Sequence, residues 1–149
     1  MATLIVMCGP AGSGKSTWAS NYRMDHPEFS YVSTDQIRGE LWGDEGLQDN
    51  PGRVFEVAFY RLKKALRHGE DVIFDATNLT RRDRREVLWQ IRGIDCVKMC
   101  VVMKATPNEC IERQDMRARH VPAAVIERQF HKWQMPTEDE GWNKIFFEK

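Results

Sequence analysis

The stretch GPAGSGKSTW, residues 9–18, follows directly on the apolar run LIVMC and constrains this chain more than any other. Gly9, Gly14, Lys15 and Ser16 satisfy the pattern GxxxxGK(S/T), with a strand expected before it and a helix after it. Glycines let backbone N–H groups turn inward around an anion, and the start of a helix adds partial positive charge. Residues 9–17 are therefore expected to hold a nucleoside triphosphate, with Gly9, Ala11, Gly12, Ser13, Gly14 and Thr17 in the binding loop. Lys15 should reach the outer phosphates, and the Ser16 hydroxyl should meet Mg²⁺.

Along the chain, strand patterns alternate with helical ones. Residues 3–8 read as a continuous apolar strand buried on both faces. A helix follows from about Lys15 to Tyr22, then a short strand at YVST, residues 31–34. A second helix opens at Asp35, and residues 43–52 read as a loop from their Gly, Asp, Asn and Pro. Val54, Val57, Ala58, Leu62, Ala65 and Leu66 recur at helical spacing, and Gly69 is the stop. Val72–Phe74 is a strand ending in Asp75. Thr80 caps the next helix and Gly93 ends it. Residues 96–103 form another buried strand. In TPNE, residues 106–109, a capping threonine precedes a first-position proline and a glutamate three residues on. Pro122 starts one more helix toward Trp133, and KIFF, residues 144–147, is a last edge strand. Such alternation predicts a parallel sheet with helices on its faces, in one domain over residues 1–149.

Composition narrows the partners. The 22 basic and 22 acidic residues balance, so no global field draws the chain to nucleic acid or membrane, although an end gripped locally remains compatible. The apolar N-terminal run is short and has no basic leader, and no stretch is long enough to span a bilayer. The expectation is a cytoplasmic protein without an obligate protein partner. Cys8, Cys96, Cys100 and Cys110 form no CxxC pair and read as reduced thiols; Cys96 and Cys100 share one strand face as small hydrophobes. The four histidines are scattered without metal-ligand spacing.

Three further groups carry chemistry. Asp35 lies where the second strand ends, at the sheet edge where ligands bind in open α/β folds. A carboxylate there can accept the proton of an attacking hydroxyl. Arg38 shares its helix face and can hold a phosphate of the acceptor. Equally, Asp35 can be a helix cap and Arg38 an exposed arginine. Arg113 and Arg117, at i and i+4, project from one side of a helix, as a lid over the triphosphate or as solvated partners of Glu112 and Asp115. Asp75 suits a carboxylate near Ser16 and the metal, or an ordinary strand-end acid. Arg81, Arg82, Arg84 and Arg85 fit a phosphate track or a solvated face, and Trp133 or Trp142 fit a base platform or core.

In order and near spacing, GPAGSGKSTW, STDQIR, DATNLTRRDRR and ERQDMRARHVP resemble the polynucleotide 5′-hydroxyl kinases, the kinase domains of phage and bacterial end-healing enzymes. The resemblance covers roughly residues 3–135, nearly a whole P-loop kinase domain. It implies an α/β P-loop NTPase fold of three layers, with a parallel central sheet and an arginine-bearing helical lid. It further implies ATP or GTP with Mg²⁺ as cofactors and the 5′-hydroxyl end of DNA or RNA as substrate. Lys15 and Ser16 would serve phosphates and metal, Asp35 would be the general base, and Arg38 would contact the acceptor phosphate. Asp75 would support the site, with Arg113 and Arg117 in the lid. No DxDGT-type motif is present, so phosphatase and ligase activities are not implied. The tail MPTEDEGW also resembles wider kinase groups, including one acting on aminoacylated transfer RNA. A kinase for a small metabolite or nucleoside stays open beside the first reading. So does a nucleotide-dependent switch, which needs no acceptor-side base.

Overall fold

Strand β1 (Ala2–Cys8) is buried almost throughout, as its unbroken apolar run requires of a strand covered on both faces. In the computed structural model, which describes residues 1–43, 51–116 and 121–149, β1 is the central strand of five. The others are β2 (Ser30–Ser33), β3 (Val72–Asp75), β4 (Cys96–Met103) and β5 (Lys144–Glu148). Their order is β2-β3-β1-β4-β5, all parallel. Register is set by pairs such as Ile5 with Ile73 and Val6 with Cys100. The chain thus leaves β1 for one side of the sheet and later crosses to the other. That arrangement opens a crevice at the carboxyl end of the central strand.

Helices cover both faces. Leu4, Val6 and Cys8 pack with Phe74, Cys96, Cys100 and Val102 against α3 (Pro51–Arg67) and α4 (Arg81–Gln90), through Val54, Ala58, Leu62 and Val87. On the opposite face, Ile5, Met7, Ile73 and Val101 meet Ala19 of α1 (Lys15–Asp25) and Phe29. The shared face expected for Cys96 and Cys100 is observed. Helices α2 (Thr34–Trp42), α5 (Pro107–Asp115) and α6 (Ala123–Lys132) surround the crevice. No helix among the described residues is long and apolar enough to cross a membrane.

Caps explain most boundaries, and two differ from the sequence expectation. Thr80 and Thr106 each close a reciprocal capping box, with Asp83 and Glu109. Helix α2 is capped by Ser33, whose Oγ accepts from Gln36 N at 3.2 Å, so Asp35 sits in the first turn and is not the cap. The hydroxyl of Ser33 already lies on extended backbone, which lets the helix begin sooner. Pro51 and Gly52, expected in a loop, open α3; a proline's fixed φ suits a first helical turn. The rest of that loop, residues 44–50, lies outside the described residues. Helix α4 ends at Gln90, and Gly93 (φ 82°) closes the turn beyond it.

Beneath the crevice lies a buried cation. Arg84 is fully buried and forms a fork with Glu140, Nε to Oε1 at 2.8 Å and Nη2 to Oε2 at 3.0 Å. Its Nη1 donates to the carbonyls of Asn78 and Leu79 at 2.8 and 3.1 Å. Trp142 Nε1 donates to Glu140 Oε1 at 3.0 Å. Burial opposes the charge on Glu140, yet Arg84 and Trp142 hold its carboxyl below the ordinary value.

Candidate functional site

The loop between β1 and α1 is held from several directions. Gly9 N donates to Thr77 O at 2.9 Å, tying the loop to the segment after β3. Gly12 (φ 80°) lies so close to α5 that a Cβ there would stand 2.5 Å from Cys110 O. Gly14 (φ 99°) precedes the first residue of α1, a left-handed conformation that favours glycine. Arg113 Nη1 donates to Gly12 O at 2.9 Å, so the arginine expected in a lid reaches the loop itself. Lys15 Nζ donates to Pro10 O at 3.0 Å.

These groups border a cleft of about 830 Å³. Ala11, Gly12, Gly14, Lys15, Ser16 and Thr17 line one part of it, with Arg113 beside them. Asp75, Asp35 and Arg38 line the same cleft. Gly9 and Ser13 belong to the same loop; Ser13 is buried and its Oγ has no hydrogen-bond partner among the described residues. Arg117 lies outside the described residues.

Asp75 and Asp35 have opposite surroundings. Asp75 is buried at the end of β3, and Tyr31 donates its hydroxyl to Asp75 Oδ2. Burial pushes the Asp75 carboxyl above its ordinary value, against the pull of Lys15 and of the Tyr31 hydrogen bond. The same burial, reinforced by the Asp75 charge, raises the Tyr31 phenol. Asp35 has 59% of its side chain exposed, and its Oδ1 accepts from Arg38 Nη1 at 2.7 Å. Arg38 is itself buried, with no partner for Nε among the described residues. A guanidinium removed from water and only partly satisfied favours a further anion.

Several contributors carry little sequence signal. Gln129 of α6 accepts from Ala11 N at 2.8 Å, docking that helix on the loop; one glutamine on a polar helix face announces nothing. Tyr31 belongs to a short strand pattern, and only the fold brings it to Asp75. Asn78, with φ 46°, donates to Met7 O at 2.8 Å and shapes the floor. Its place after Asp75 in DATN was the available clue. Of the four arginines read as a phosphate track or a solvated face, Arg84 is neither, being spent in the core, while Arg81, Arg82 and Arg85 are exposed. Trp142 is buried and Trp133 Nε1 donates to Cys8 Sγ at 3.4 Å, so these rings serve the core.

Comparison with known proteins agrees with this architecture. Residues 4–136 match the profile of a family described as AAA domain. An L-seryl-tRNA(Sec) kinase of Methanococcus maripaludis is 26% identical over 149 residues, covering 94% of this chain. The chain spans 56% of that relative's length. Among solved structures, the Pnkp1/Rnl/Hen1 RNA repair complex contains a chain that superposes with TM-score 0.78 at 21% identity, over 88% of this chain and 43% of that one. A gluconokinase from Sinorhizobium meliloti 1021 gives 0.65 at 18% identity, over 97% and 81%. These likenesses show the P-loop kinase fold and leave the acceptor open.

Proposed function

The chain belongs to the AAA domain family and has the P-loop kinase fold; from that premise we propose that it transfers the γ-phosphoryl group of ATP or GTP to the 5′-hydroxyl end of DNA or RNA. The observation that carries this reading is the pair Asp35–Arg38 in one cleft with Lys15 and Ser16. A nucleotide switch has no use for an acceptor-side carboxylate beside a buried arginine.

The cleft fits a nucleoside triphosphate. Its wall is the glycine loop, followed by a helix start and flanked by Lys15 and Arg113. Lys15 and Arg113 bind and orient the outer phosphates in this scheme, as does Arg117. The Ser16 hydroxyl would hold Mg²⁺, with Asp75 behind it; the metal, when bound, supplies neutralising charge on the phosphates. Arg38 grips a phosphate of the acceptor and engages Oδ1 of Asp35, which turns the carboxylate toward the reacting hydroxyl. Asp35 takes the hydroxyl proton as the acceptor oxygen bonds to the γ-phosphorus and the bridging bond to the diphosphate breaks. No part of this scheme calls on a second protein or a membrane.

A second reading, a kinase acting on an aminoacylated transfer RNA, is favoured by the 26% identity to the seryl-tRNA(Sec) kinase. Labelled γ-phosphate donors should be incubated with 5′-hydroxyl oligonucleotides, seryl-tRNA, nucleosides and sugar acids. Label on oligonucleotide 5′ ends is the expected result. Label confined to seryl-tRNA would promote the second reading, and label confined to nucleosides or sugar acids would overturn both.

A further inference from the structure

Pro51, Phe55 and Phe59 recur every four residues along α3, and all three line the cleft that holds Asp35 and Arg38. Helix α3 packs directly on α2, which carries that pair. Phe59 is immobilised from below: it stacks on Phe74 of β3 with centroids 5.8 Å apart and planes 8° from parallel. Phe55 leans on Phe59 at 5.7 Å and is only half-buried. The two rings, tilted 42° to each other, give the cleft an apolar wall seated on the sheet, and Thr34, Asp35, Arg38 and Glu86 line the same cleft.

We infer that Phe55 is the platform on which the base of the acceptor nucleotide stacks, while Arg38 engages a phosphate of the same nucleotide. The inference rests on the kinase reading above and names which part of the acceptor is recognised. The buried Nε of Arg38 lacks a partner among the described residues and asks for an anion. The half-buried Phe55 ring in the same cleft asks for a planar group with an apolar face. A sugar acid supplies the anion but sets hydroxyls against the ring; a bare nucleoside supplies the plane but no anion. A nucleotide unit supplies both. Because every base has a π-face, such a wall accepts any base at the reacting end.

The test uses the whole chain and a pair of 5′-hydroxyl oligonucleotides, alike except that the terminal nucleotide of one is abasic. Their phosphates are the same, so the Arg38 contact cancels. The wild-type protein is expected to use the abasic end about 5- to 150-fold less efficiently in kcat/KM, the worth of one base–aromatic stack. F55L should bring that ratio close to one, and F55W should keep or enlarge it. The wild-type ratio needs no variant to fold, and F55W keeps a ring against Phe59. Equal use of both ends by the wild-type protein overturns the platform while leaving the kinase reading intact. So does an F55L variant that keeps the wild-type ratio. If neither oligonucleotide is phosphorylated but a sugar acid is, the polynucleotide reading fails and this inference with it.

Discussion

Two carboxylates of the cleft should answer mutation differently, because one is exposed and the other buried. Asp35→Asn removes a proton acceptor from the solvent-facing first turn of α2. Nucleotide affinity should hold, while kcat falls by about 10²–10⁴, the usual worth of a positioned general base. Near-normal turnover would reduce Asp35 to a partner of Arg38. Asp75 acts on stability as well. Its folded carboxyl sits above the unfolded value of 3.8, so the native chain binds more protons between the two values. Stability therefore falls as pH rises through that interval. D75N drops the buried charge and leaves an oxygen to accept from Tyr31. Its melting temperature is expected to exceed that of the wild-type protein at neutral pH, and the gap should narrow as pH falls toward 3.8. Activity should fall in the same variant if the carboxylate supports the metal. A variant both less stable and fully active would contradict this account of Asp75.

Among the elements, α4 carries the largest concentrated cost. Removing one partner of a buried ion pair leaves the other charge stranded, at about 3–5 kcal/mol. R84A takes the fork from Glu140, which has 11% of its side chain exposed and keeps Trp142, the Thr137 amide and Arg81 Nε at 3.8 Å, and it also frees the carbonyls of Asn78 and Leu79. Urea unfolding of R84A should show a loss of that size, whereas the paired change R84M with E140L should recover only the part due to the unpaired charge, because the carbonyls of Asn78 and Leu79 and the Trp142 indole stay without these partners. Much of this framework was legible beforehand, since apolar runs and caps are local. Residues 96–103 and the TPNE cap appear where the pattern placed them. What escaped was long-range. The role of Arg84 depends on Glu140, 56 residues away, and a solvated arginine and a buried one look alike in a row of four. The start of α2 slipped because Ser33, Thr34 and Asp35 can all cap, and only the end of β2 selects Ser33. The loop motif, in contrast, announced its site because each residue type there is demanded by phosphate geometry.

For the molecule as a whole, zero formal net charge predicts restrained electrostatics. If one acceptor phosphate is neutralised by Arg38, acceptor binding should weaken with salt at a log–log slope near about −1. Titrating KM against salt checks this; a slope several-fold steeper would enlist the exposed Arg81, Arg82 and Arg85. A different consequence follows from the cation beneath the crevice. The residues proposed for chemistry end with α5 and what adjoins it, yet the counter-charge to Arg84 comes from the turn at Glu138–Glu140, just ahead of the edge strand β5. The minimal catalytic unit and the minimal folding unit are thus different lengths of chain. A polypeptide stopped before Glu138 would retain every proposed substrate contact. It should nevertheless emerge as an expanded, protease-sensitive species, since its nucleotide seat would rest on an orphaned guanidinium.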